Sequence, residues 1–98
     1  MSYKDHFAEH LRIALLRALL DCPECKANDS ILRDLVATVG LSATRDQVRG
    51  VIAWLSEQGL TRHTDLGGLY VATLTERGED VAMGRATAPG VRRPTPRG

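Results

Sequence analysis

The chain has 98 residues, 43% hydrophobic and 26% charged, with 13 Lys and Arg against 12 Asp and Glu. That length allows one domain with one small core and excludes a doubly wound sheet or a barrel carrying catalytic loops. The balance is uneven: residues 84–98 hold Arg85, Arg92, Arg93 and Arg97 and no acid, which leaves nine basic against twelve acidic residues elsewhere, so charge alone does not declare a nucleic-acid binder.

The opening residues predict a helix over about 2–21. Phe7, Leu11, Ala14, Leu15, Ala18 and Leu19 recur at three- and four-residue steps. Ser2 and Asp5 have capping-box spacing, and Pro23 stops the pattern. Ile13, Leu16 and Leu20 widen the apolar stripe, which predicts burial on more than one side, by the chain itself or by a second copy. Glu9, His10 and Arg12 break the run where a signal peptide would be apolar. No segment has the roughly 20 apolar residues of a membrane span. The expectation is a cytoplasmic protein with no membrane partner and with Cys22 and Cys25 reduced.

A loop, C-P-E-C-K-A, is followed by Asn28 as an N-cap and Asp29 where a helix dipole favours negative charge. The second helix runs to about Val39, with Ile31, Leu32, Leu35, Val36 and Val39 as its inner face and Gly40 as its stop. Thr44 to Gln47 form a second capping box, opening a third helix whose inner face is Val48, Val51, Ile52 and Leu55. Gly59 ends it. The period then falls to two: Leu60–Asp65 and Leu69–Leu74 read as strands around Leu66-Gly67-Gly68, where positive φ is available to a tight hairpin. Thr75 caps a short closing helix. After Gly84, Pro89, Pro94 and Pro96 forbid regular structure, so residues 84–98 are expected to be a flexible basic tail on a domain of residues 1–83. The expected fold class is mainly α with a small β-hairpin.

The run from Leu35 to Leu60 resembles the helix-turn-helix of small bacterial winged-helix regulators of the ArsR and MarR type, and L-T-E-R-G-E-D-V-A, Leu74 to Ala82, resembles their step into a closing helix. The implied architecture is a winged helix-turn-helix, three helices, a hairpin and a fourth helix. A narrower resemblance is to small proteins of Mu-like phages and prophages, which pair R-D-x-V-R-x-x-x-x-W-L-x-E-Q-G-L, here Arg45 to Leu60, with P-G-V-x-R-P, here Pro89 to Pro94. It implies a phage or prophage origin.

In a winged helix the third helix enters the major groove of double-stranded DNA. Arg45 and Arg49 share a face and suit phosphate or guanine; Gln47 can read adenine if it leaves the cap; Gly50 admits a close partner; Thr44 stands at the helix start. Arg62 and His63 come from the hairpin, and Arg92 and Arg93 from the tail. Asp46 opposes this reading, and the hairpin tip has no cation. The first expectation is therefore a DNA-binding regulator or accessory factor, a homodimer through the first helix and the closing helix around Val81 and Met83. The alternative is an adaptor for a phage or host protein. A third is a cysteine metal or redox sensor. Cys22-Pro-Glu-Cys25 has the spacing of a zinc half-site, but His6 and His10 would have to come from another chain, since a straight helix sets His10 about 18 Å from Cys22. The pair is expected to pack at a helix end, Trp54 to be a core or contact residue, and the chain to carry no metal or cofactor. No serine has a nucleophile-elbow pattern and there is no phosphate loop, so no enzyme is expected.

Overall fold

The computed structural model describes residues 2–94. They form a mixed α/β domain of four helices and a three-stranded antiparallel sheet. In chain order these are α1 (Tyr3–Asp21), a 3-10 turn (Pro23–Cys25), β1 (Lys26–Asn28), α2 (Asp29–Thr38), α3 (Arg45–Glu57), β2 (Thr61–Leu66), β3 (Leu69–Leu74) and α4 (Glu76–Ala82). The sheet order is β1-β3-β2.

The caps form as the sequence spacing predicts. Asp5 N–H donates to Ser2 Oγ (3.3 Å), Ile31 N–H to Asn28 Oδ1 (2.8 Å), and Gln47 N–H to Thr44 Oγ1 (3.0 Å) while Thr44 N–H donates back to Gln47 Oε1 (2.8 Å). Each satisfies a helix-end donor that would otherwise be left to water. Thr75 Oγ1 caps α4 through Gly78 N–H (3.0 Å). Gly78 itself lies against the Leu60 carbonyl so closely that a Cβ there would collide with it.

The core is built from Leu11, Leu15, Leu16 and Leu19 of α1, Leu32 and Val36 of α2, and Val48, Ile52 and Leu55 of α3, closed by Leu60, Ala72, Leu74 and Val81. The wide stripe of α1 is explained: α2, α3, α4 and β3 all pack on it.

Three expectations change. The loop after α1 contains β1, which pairs Lys26, Ala27 and Asn28 with Thr73, Ala72 and Val71 of β3. Three residues are too few for a period-two pattern, and their partner lies more than forty residues downstream. The inner face of α2 is narrower than read: Leu32 and Val36 are buried, but Ile31 and Val39 are 48% and 67% exposed. Most notably, residues 84–94 have no helix or strand, yet they pack. Ala88 and Val91 are buried, and Arg92 N–H reaches the Glu9 carbonyl of α1. Proline and glycine forbid a ladder, but they do not stop a small apolar side chain from filling a cleft. Arg97 lies outside the described residues.

No helix among the described residues is long and apolar enough to cross a membrane.

Candidate interaction surface around the third helix

One side of α3 is organised by a carboxylate. Asp29, at the first turn of α2, is 0% exposed. It accepts from Arg49 Nε (2.8 Å), from Arg45 Nε (3.1 Å) and from the Tyr70 backbone N–H (3.1 Å). Burial pushes its carboxyl up, but the hydrogen bonds from Arg49, Tyr70 and Arg45 outweigh this and hold it below its usual range. The same bond to Asp29 raises the Arg49 guanidinium. Arg49 also lies over the Tyr70 ring, 5.2 Å from its centroid.

Arg45 and Arg49 thus stand on one carboxylate. Both share a face, as their spacing requires, but both are already paired with one buried anion. Their side chains remain 43% and 27% exposed. Gln47 and Thr44 are committed to the capping box.

The line of α3 farthest from buried Val48, Ile52 and Leu55 runs Asp46, Gly50, Ala53, Glu57, at steps of four, three and four. Two small residues sit between two acids. Among the described residues a Cβ added to Gly50 would meet nothing within 4 Å, so none of them requires a glycine there.

The hairpin does not extend a positive band. Alternation along β2 and the pairing of Arg62 with Thr73, His63 with Ala72 and Asp65 with Tyr70 put Arg62 and His63 on opposite sheet faces. His63 turns toward α3, stacks on Tyr70 at 5.0 Å between centroids and shares a 2.8 Å hydrogen bond with Ser56 Oγ, which in turn meets Thr61 Oγ1 at 2.8 Å. It is a packing residue. Arg62 stands on the outer face across Thr73 from Lys26. Exposed Arg92 and Arg93 follow a segment anchored on α1.

That anchor was not read from sequence. Arg12 of α1 lies over the Trp54 ring of α3, its guanidinium carbon 3.9 Å from the centroid, and donates from Nη1 to the Gly90 carbonyl (2.8 Å). Gly90 has φ of 87° and lies so near Trp54 that a Cβ would stand 3.0 Å from two ring carbons. The two parts of the phage-type pattern meet here, through Trp54 of the first and Gly90 of the second. Arg12 Nε is buried with no hydrogen-bond partner among the described residues.

Val81, expected at a dimer contact, is buried inside the chain, whereas Met83 is half exposed. The cysteines are free and half-buried at the end of α1, and burial, with Asp21 and Cys25 nearby, raises the Cys22 thiol above its usual value. Among the described residues no three His, Cys, Asp or Glu side chains converge as a metal site would require.

No protein-family model matches the chain. The uncharacterized protein gp26 of Escherichia phage Mu is 50% identical over 93 residues, 95% of this chain and 96% of that protein. An uncharacterized protein of Haemophilus influenzae (strain ATCC 51907 / DSM 11121 / KW20 / Rd) is 37% identical over 78 residues, 79% of this chain and 76% of that protein. Near full-length coverage at this identity agrees with the Mu-like origin read from the paired motifs, and the chain belongs to the family of the phage Mu protein gp26.

Proposed function

We propose that the chain is a winged-helix domain serving as a protein-interaction module of a Mu-like phage or prophage. The winged-helix reading is supported by the element order, with a short strand between the first two helices, a six-residue connection, Val39 to Thr44, between α2 and α3, and a hairpin whose second strand is central in the sheet. The interaction reading is carried by one observation. The solvent line of α3 is Asp46, Gly50, Ala53 and Glu57, and the arginines beside it share Asp29. Affinity for DNA comes mainly from unneutralised cations on phosphates, and this surface supplies few. Exposed apolar side chains, Tyr3, Ile31 and Val39 among them, border two open grooves instead. Contiguous exposed apolar surface marks protein contacts.

A second reading, DNA binding through α3, is favoured by one detail. Both arginines bond Asp29 through Nε, and a guanidinium held there keeps its outer nitrogens for a phosphate or guanine. The two are separated by placing a photo-crosslinking amino acid at Val39 or at Tyr3 in cells carrying the phage. The interaction module gives a discrete protein adduct at one of these positions, and duplex DNA shifts only weakly in gels, without sequence preference. A sequence-selective shift abolished by Arg45→Ala, with no protein adduct, overturns the proposal in favour of DNA.

A further inference from the structure

We infer that the groove between the first half of α1 and the outer flank of α3 seats an acidic, apolar-faced helix of a partner protein. This rests on the interaction reading above and adds the partner's chemistry.

The groove encloses about 650 Å³ and is open to solvent. Its apolar surface comes from Tyr3, Phe7 and Leu11 on one side and Val51 and Trp54 on the other, with Gly50 exposed at the α3 wall. Tyr3 is 80% exposed and its ring stacks on Phe7 at 6.2 Å between centroids. An exposed tyrosine ring stacked on a half-buried phenylalanine at the mouth of a groove offers apolar surface to a partner.

Gly50 supplies the second argument. It lies mid-helix, where glycine is less favourable than alanine, and among the described residues a Cβ there would meet nothing within 4 Å. What the glycine provides is an unobstructed stretch of α3 along which another backbone can approach closely.

Charge gives the partner its sign. Lys4 and Arg12 line the groove and no carboxylate does. Lys4 has no ion-pair partner among the described residues, whereas Arg12 is already held over Trp54 and on the Gly90 carbonyl, so Lys4 is the cation open to an occupant. The nearby acids are turned elsewhere: Asp5 is in the Ser2 cap, and Asp46 is exposed on the outward line of α3, beyond the groove lining. An occupant therefore keeps its own carboxylates at the Lys4 end and away from Asp46. From Tyr3 to Arg12 the groove follows α1 for roughly 14 Å, two to three turns of a docked helix, which sets apolar anchors at i, i+4 and i+7.

The test is selection of a helical-peptide display library against the full chain, followed by titration of enriched peptides. Trp54 is the only tryptophan and lines the groove, so its emission reports occupancy. Enriched peptides should carry the i, i+4, i+7 apolar pattern flanked by Asp or Glu and should shift Trp54 emission saturably. Lys4→Glu, on the surface, should weaken them about tenfold, and exchanging the facing Glu of the peptide for Lys should restore binding. Gly50→Leu, checked for folding by circular dichroism, should abolish it. Basic peptides, peptides indifferent to Gly50→Leu, or no enrichment overturn the inference. So does a dimer of this chain that Gly50→Leu converts to monomer, since a second copy would then fill the groove. In each case a protein adduct at Val39, on the separate groove between α1 and α2, leaves the interaction module standing.

Discussion

Two guanidiniums and a backbone N–H converge on Asp29, and that single carboxylate ties α2, α3 and β3 together. Removing Asp29 leaves two part-exposed guanidiniums that water can reach and one unpaired Tyr70 N–H, a loss of about 1–3 kcal/mol. Asp29→Ala is expected to destabilise the domain by about that amount in urea unfolding. The pH dependence follows from the lowered carboxyl. Its unfolded value is about 3.9, so its stabilisation is complete above that pH and is lost as pH falls through the lower folded value. Urea titrations should therefore show the parent losing stability below about pH 4, with Asp29→Asn weaker at neutral pH but flatter on acidification. Arg49→Ala, which an exposed arginine would tolerate, should lower the melting temperature as well, because it removes a partner from Asp29. A parent-like melting temperature for Arg49→Ala would show that the carboxylate is satisfied without it. Cys22, its thiol raised by burial, should react with iodoacetamide near neutral pH more slowly than free cysteine does, as followed by mass spectrometry.

At the scale of elements, α3 separates packing from presentation. Val48, Ile52 and Leu55 fix it in the core, one flank binds Asp29, the other borders α1, and Gly50 is left on the open line. Gly50→Ala should raise stability by about 0.5–1 kcal/mol, a melting increase of a few degrees for a domain this size. A lower melting temperature would mean that the glycine serves the fold. The hairpin contributes His63 and Tyr70 to the wall behind Arg49 and keeps Arg62 on the far side. Any sequence-independent attraction of polyanions to Arg62 is therefore separate from whatever α3 does.

For the whole molecule, the segment after Gly84 is the surprise in energetic terms. Truncation there removes buried Ala88 and Val91 and the Gly90 carbonyl that accepts from Arg12, and it uncovers Trp54. Burial of one valine-sized side chain and its neighbour stabilises by about 2–3 kcal/mol, so the truncated chain should melt roughly 10 °C or more below the parent. Its Trp54 emission should shift to the red as the ring loses the cover of Gly90 and becomes more exposed. Unchanged melting and emission would mean that the segment adds nothing to the fold. Arg92 is held beside α1 through its backbone N–H on the Glu9 carbonyl.

What sequence determined by itself was local. The caps at Ser2, Asn28, Thr44 and Thr75, the four helices, the Gly67-Gly68 hairpin and the leucine core all follow from rules that reach four residues or fewer along the chain. Tertiary structure decided everything that depends on distant partners. Strand β1 exists only because β3 supplies its ladder. Ile31 and Val39 are exposed because α1 covers only part of the apolar stripe of α2. Asp29 carries a helix-start signal in sequence, but its role as the shared anion of Arg45 and Arg49 appears only when α3 folds across it. Proline and glycine after residue 84 forbid regular structure, which sequence states correctly, but whether an irregular segment is ordered depends on a cleft, and Arg12 and Trp54 build that cleft from two other helices.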